Sequence, residues 1–234
     1  MTITSEQQAA FAKMLVHAAK QREVTMRVIG GVAVYAMCPS IKTRPKLQRA
    51  ILDVDLIAAR GDWNTLEGIF AENGLALRAK EKASWIFEKD GLTVELCDPN
   101  FGFADFTRRL ALGAPTLPLT DLLLIKLARR PFEERDVQDT IALLLDHPVA
   151  RKQAADQIDG AHIAQLCARD WKLFHAVYDN LVTLEKTLDQ YLEPVEAQLV
   201  WRRIELLQSK LDRAPKSPGW MINQFLRQPT QVPR

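Results

Sequence analysis

VIGGVAVYAM, residues 28–37, and RAILDVDLIA, residues 49–58, decide the fold. Residues 25–29 are rich in β-branched and apolar types and read as a short strand. It ends in Gly30-Gly31, after which residues 32–37 read as a turn of helix closed by Pro39. Residues 51–58 (ILDVDLIA) read as a second strand, and its period of two sends Asp53 and Asp55 to one face and Val54 and Leu56 to the other. Two like charges pressed together raise each other's pKa or require a cation. Hard oxygen donors select Mg²⁺, which is commonly held by one or two carboxylates together with substrate phosphates. In isolation, such a pair reads sooner as an edge strand whose acids face water. Here Gly30-Gly31 closes a strand and opens a helix, where missing side chains let phosphate oxygens approach backbone N–H groups. Glu95, alternating with Val94 and Leu96, adds a third carboxylate from another strand. Three acids beside a glycine turn suit two-metal phosphoryl chemistry, with Mg²⁺ or Mn²⁺ activating a hydroxyl and stabilising departing pyrophosphate.

Outward from this centre, strand and helix alternate. Phe11, Leu15 and Ala18 mark a first helix from Ser5, its expected N-cap, to about Lys20. DWNTLEGIFAEN, residues 62–73, is an amphipathic helix closed by Gly74. Residues 84–87 and 92–97 flank Glu88-Lys89-Asp90-Gly91, a hairpin signal. From Thr120, an expected cap, the pattern becomes helical to Arg130, where Pro131 breaks it, and Val137, Ile141 and Leu144 carry a further helix to about Asp146. Beyond Pro148, apolar residues from Phe174 to Tyr191 and from Val200 to Leu211 recur at 3-4 spacing as a helical hairpin. The fold class is α+β: a mixed sheet with flanking helices over residues 1–148, followed by an all-helical part over residues 149–234.

The chain has 234 residues, 47% hydrophobic and 26% charged, with a formal net charge of +2, which fits a globular protein and excludes disorder or a collagen repeat. Neither a signal peptide nor a membrane span is expected, and Cys38, Cys97 and Cys167 form no C-x-x-C pair, so a reducing cytoplasm is the expected location. The charge is uneven: residues 1–148 are neutral overall, residues 149–200 carry −3 and residues 201–234 carry +5. That basic end (Arg202, Arg203, Lys210, Arg213, Lys216, Arg227 and Arg234, with Trp220 and Phe225) reads either as a polyanion-binding surface or as a solvated helix face with a loose tail. A second basic run, Lys42, Arg44, Lys46 and Arg49, has no acid within it.

Taken together, the glycine turn, the basic loop and the Asp-x-Asp strand resemble the signature of the polymerase-β-type nucleotidyltransferase superfamily. LTDLLLIKLARRPFEERDVQDTIALLL, residues 119–145, is similar to the Lys and Asp motifs of AbiEii-like and related minimal nucleotidyltransferases. The likeness covers about residues 24–146. It implies that Gly30 and Gly31 hold a nucleoside triphosphate, that Asp53 and Asp55 bind metal, and that Glu95 is a third ligand or base. It further implies that Lys126 meets phosphate, that Asp136 belongs to the final motif, and that Arg49 is the frequent family arginine. The chain departs from the pattern in three places. Twenty-one residues separate Gly31 from Asp53, so residues 39–48 read as an inserted loop; Ile51 stands where many members have Ser or Thr; and Glu95 replaces the more frequent Asp.

The function expected from these residues is metal-dependent transfer of a nucleoside monophosphate from an NTP to a hydroxyl acceptor. RNA of tRNA-like size is the favoured acceptor, and a toxin-like role with a cognate antitoxin accompanies the AbiEii likeness. A small-molecule or protein acceptor, or a non-catalytic nucleotide-binding protein, are the alternatives. His17, His147, His162 and His175 form no metal-ligand pair, and no Gly-Lys-Ser/Thr loop occurs. Trp63, Trp85, Trp171 and Trp201 read as packing residues.

Overall fold

The computed structural model describes residues 3–150 and 156–227. A five-stranded mixed sheet forms from β1 (Met26–Ile29), β2 (Asp53–Ala58), β3 (Ala76–Lys80), β4 (Ser84–Lys89) and β5 (Leu92–Cys97), in the order β1-β2-β5-β4-β3. The pairing β2-β5 is parallel and the other three are antiparallel. Asp90 and Gly91, both at positive φ, make the tight turn between β4 and β5 that the Asp-Gly pair signals. Neither sheet edge is left open. Lys80 and Arg78 place charges on β3, while β1 is covered by backbone bonds from Val28 to Pro115 and Leu117.

Helix α1 (Ser5–Gln21) is capped by Thr4 rather than Ser5, because the Thr4 hydroxyl and the Gln7 side chain satisfy each other's backbone N–H in a capping box. The expected turn of helix after the glycines is α2 (Gly30–Met37), and the expected inserted loop is largely helical, with α3 (Pro39–Thr43) and a 3₁₀ turn at Pro45–Leu47. Then come α4 (Trp63–Glu72), α5 (Leu119–Leu127) and α6 (Glu134–Asp146). Thr120 lies inside α5 rather than capping it: Pro118 holds the cap position, and the Thr120 hydroxyl accepts a 2.8 Å hydrogen bond from the Asp159 backbone N–H. The helix stops at Leu127, three residues before the expected end.

After a two-residue parallel pairing of β6 (Val149–Ala150) with β7 (Ile158–Asp159), the chain is helical: α7 (Gly160–Cys167), α8 (Trp171–Glu185), α9 (Leu188–Tyr191), α10 (Pro194–Arg213) and α11 (Pro218–Arg227). The hairpin expected beyond Pro148 is α8 and α10, which pack on each other while α10 also lies on α6 and α7. One apolar core runs without a break from Ala12 to Trp220. Trp63 is buried in it, whereas Trp201 is 42% exposed, against the packing role expected of it. Trp220, offered by the sequence as a stacking ring, is buried edge-on against Phe174. The side chains of Phe225 and Arg227, and all of Arg234, lie outside the described residues.

The inserted segment belongs to the core. Leu47 is fully buried, the Ser40 N–H donates to Asp146 at 2.9 Å, and Gln138 donates to the Lys46 carbonyl at 3.0 Å. Leu47→Ala should therefore cost about 2–5 kcal/mol through the cavity it leaves, read by denaturant unfolding. A change below the error of the measurement would mean that the segment is a surface loop.

Candidate active site

The acids come together because of register. On β2, Val54 and Leu56 are buried while Asp53 and Asp55 are only partly covered, and on β5, Val94 and Leu96 are buried while Glu95 is not. The parallel pairing puts Asp55 opposite Glu95. The same-face placement drawn from the two-residue period is thus realised, with the third acid one strand away. Among the described residues none of the three carboxylates has a hydrogen bond or an ion pair. Burial, then the charges of Asp53 and Glu95, push the Asp55 carboxyl up to about 7, against the opposing pull of Lys126 and Arg129.

The glycines lie against these acids. Gly30 has φ +67, and a Cβ built on it would fall 2.0 Å from Asp55 Oδ2; one on Gly31 would fall 2.5 Å from an Arg49 nitrogen. A side chain at Gly30 would combine a left-handed backbone with a clash against the Asp55 carboxylate, so glycine is required there, while one at Gly31 would have to displace the Arg49 guanidinium. Gly30 and Gly31 also open α2, whose first N–H groups have no partner within the helix.

The cationic side is built on a residue that the sequence reading missed. Asp139 on α6, 1% exposed, accepts two bonds from the Arg49 guanidinium, at 3.0 and 2.7 Å, and one ion pair from Lys126 at 2.8 Å; Lys126, 7% exposed, also reaches Asp136 at 3.2 Å. Asp136 in addition accepts the Glu133 N–H in a capping box at the start of α6. Arg49, Lys126, Asp136 and Asp139 therefore form one buried charge chain. It holds Arg49 and Lys126 at the rim of a cavity of about 500 Å³ that Gly31, Asp53, Asp55 and Glu95 also line. Seven of the eight residues singled out from the sequence meet there, and the eighth, Gly30, lines a second cavity of about 370 Å³ that shares Asp55, Glu95, Lys126 and Arg129 with the first. Arg129, also missed, is exposed between the two with no hydrogen-bonded or ion-paired side-chain partner among the described residues. Cys97 lines the second cavity, where burial and the carboxylates raise its thiol pKa well above the ordinary value and favour the un-ionised thiol.

Of the remaining basic residues, Lys46, Arg202, Lys210 and Arg213 have no hydrogen-bonded or ion-paired side-chain partner among the described residues, while others are engaged within the protein. Lys42 lies 3.8 Å from Glu6, Arg44 is paired with Glu196 on α10, and Arg203 donates to the Leu144 and Leu145 carbonyls at the end of α6. Lys216 lies over the Phe174 and Trp220 rings. Acids from distant segments meet Lys42, Arg44 and Arg49 of a run that contains none of its own, and Lys46 has no such partner among the described residues.

No family model matches the chain, and no curated protein matches it. Solved structures do. The crystal structure of an antigenic nucleotidyltransferase-like protein from Paracoccidioides brasiliensis aligns over 94% of this chain and 99% of its own, at 12% identity and a TM-score of 0.50. The fold is a nucleotidyltransferase fold. Looser alignments are to the solution structure of the antibiotic-resistance factor ANT(2'')-Ia, over 95% of each chain at 11% identity and TM-score 0.38, and to ANT(2'')-Ia in complex with adenylyl-2''-tobramycin, over 88% of this chain and 97% of that one at 13% identity and TM-score 0.36. The likeness reaches the fold and does not separate an AbiEii-like branch within it.

Two consequences are measurable. A carboxyl pKa raised from near 4 to about 7 on folding adds stability below pH 4 that is lost as pH rises through 7. The metal-free protein should therefore lose melting temperature over that interval, and Asp55→Asn should flatten this part of the profile and melt higher than wild type at pH 8. Parallel profiles for the two proteins would contradict the repulsion. Asp139→Asn should weaken both ion pairs and cost about 3–5 kcal/mol, as breaking a buried pair does; a loss under 1 kcal/mol in denaturant unfolding would mean that the charge chain holds nothing in place.

Proposed function

We propose that the protein transfers a nucleoside monophosphate from an NTP to a hydroxyl acceptor, with Mg²⁺ or Mn²⁺ held by Asp53 and Asp55. The observation that supports this most directly is the meeting of three unpaired carboxylates and a fixed wall of cations in one cavity that the glycine turn also reaches. The donor set is made of hard oxygens without a soft ligand, which fits such an ion. Among the described residues no three His, Cys, Asp or Glu side chains are arranged as a ready cage. Mg²⁺ is commonly held by one or two carboxylates together with substrate phosphates. When bound, the ion neutralises the carboxylates against the phosphates and polarises the reacting phosphoryl group.

The chain's own residues supply the rest. Arg49 and Lys126, fixed by Asp139, and the unpaired Arg129 offer positive charge to the triphosphate, with Lys126 acting as a point charge. The N–H groups opening α2 at Gly30-Gly31 favour the same anion. The acceptor oxygen forms a bond to the α-phosphorus as the bond from that phosphorus to the bridging oxygen breaks. The electron pair leaves on pyrophosphate, and the acceptor's proton passes to Glu95.

An RNA acceptor draws its support from the basic segments, yet Lys42, Arg44, Arg49, Arg203 and Lys216 are engaged within the protein. The toxin-like role and the antitoxin rest on the sequence resemblance alone. No helix among the described residues is long and apolar enough to cross a membrane.

Incubation with each α-labelled NTP, Mg²⁺ or Mn²⁺, and RNA, protein or metabolite fractions tests the reading through labelled product and released pyrophosphate. Nucleotide-dependent thermal stabilisation without pyrophosphate would identify a non-catalytic binder instead. Asp53→Ala and Asp55→Ala should abolish transfer while leaving the protein folded. Lys126→Ala should raise the KM for NTP by roughly tenfold or more, as loss of a charge-assisted phosphate contact does; near-normal turnover in either aspartate variant would contradict the metal assignment.

A further inference from the structure

A third cavity, about 780 Å³, opens beside the second and shares Phe101 with it, and its wall residues Ala128 and Arg130 flank Arg129, which lines both catalytic cavities. The second and third cavities thus adjoin, and four rings stand in the wall of the third. Phe101 and Phe103 stand on one side, their centroids 6.0 Å apart, and both lean on the fully buried Phe106. Trp171 and His175, 4.3 Å apart, stand on α8. The Phe-bearing loop is held by its own backbone: Phe101 N–H donates to the Ala104 carbonyl at 3.0 Å and Phe106 N–H to that of Pro99 at 2.9 Å.

Charge narrows the occupant further. The cavity is lined by two cations, Arg130 and Lys172, and two acids, Asp170 and Asp179. Arg130 is paired with Asp179 at 2.7 Å, and Asp170 accepts the N–H groups of Lys172 and Leu173 as the cap of α8. A polycation would find no uncommitted acid here, and a phosphate backbone no cationic track. Aromatic walls with balanced charge suit a flat, uncharged ring.

Resting on the nucleotidyl-transfer reading above, we propose that this third cavity seats the body of the acceptor, a low-molecular-weight, uncharged compound in which a flat ring carries a hydroxyl-bearing portion. The ring lies among Phe101, Phe103, Trp171 and His175. The hydroxyl-bearing portion extends through the second cavity to Asp55 and Glu95, where its oxygen takes the α-phosphoryl group, pyrophosphate leaves and its proton passes to the carboxylate.

The test uses the full chain and p-nitrophenyl β-D-glucoside, an uncharged ring bearing hydroxyls, titrated calorimetrically with Mg²⁺ and a non-hydrolysable NTP present. Wild type and Phe103→Tyr should bind it, and Phe103→Asp should bind it about tenfold more weakly or worse. The melting-temperature rise given by Mg²⁺ and NTP should be the same in all three, which shows each variant folded with its donor site intact. With a hydrolysable α-labelled NTP, label should move to the glucoside. Equal glucoside binding by wild type and Phe103→Asp, or none by wild type, with the nucleotide-dependent rise present, would overturn the acceptor assignment alone. So would transfer of label to RNA or to a polycationic aminosugar at a rate that Phe103→Asp leaves unchanged. Absence of the nucleotide-dependent rise in wild type would overturn the donor-site reading, and the acceptor assignment with it.

Discussion

Three carboxylates on two adjacent parallel strands repel one another, and the surrounding structure is arranged about that repulsion. The register that pairs Asp55 with Glu95 is fixed from the opposite face, where Val54, Leu56, Val94 and Leu96 are buried. A slip of one residue would put the acids into the core and those side chains into water. The apolar side of the sheet thus holds together a polar side that would not assemble by itself. Burial first, and then the charges of Asp53 and Glu95, raise the Asp55 pKa to about 7, so the ionised form of this acid is disfavoured without an added positive charge.

Opposing charge is supplied without collapsing onto the acids. Arg49 and Lys126 line the same cavity as Asp53 and Asp55 without forming an ion pair to either. Instead Asp139 takes both, with Asp136 as a second partner for Lys126, and keeps each cation at the rim. This explains the length of chain between Gly31 and Asp53. Residues 39–48 fold as α3 and a 3₁₀ turn against α6, and the backbone they fix delivers Arg49 to Asp139.

The sheet face, the glycine turn and the hairpin were legible because each depends on local rules: a period of two, a positive φ that only glycine accepts without cost, and the Asp-Gly turn. Asp139 was not legible, since an acid three residues after Asp136 near a helix start looks like a solvated side chain. A signal was nonetheless present. In α6 the polar residues Asp136, Gln138, Asp139 and Thr140 precede an apolar run and are themselves buried, and a polar cluster on an enclosed helix must face partners or a site. The ion pairs of the basic run at residues 42–49 were not legible for a related reason. The acids of those pairs, Glu6, Glu196 and Asp139, lie far away in sequence. β3, with exposed charges between half-buried residues, carries too little apolar signal to be seen as a strand, and α7 falls in a stretch that the apolar spacing did not mark.

The central claim is that the acids accept a divalent ion together with nucleotide. Electron paramagnetic resonance of Mn²⁺, titrated into wild type and Asp55→Asn with and without a non-hydrolysable NTP, tests it directly. The expected result is weak Mn²⁺ binding by wild type alone, much tighter binding when nucleotide is present, and loss of the nucleotide-dependent gain in Asp55→Asn. Mn²⁺ affinity that is indifferent to nucleotide, or unchanged by removal of the Asp55 charge, would contradict it.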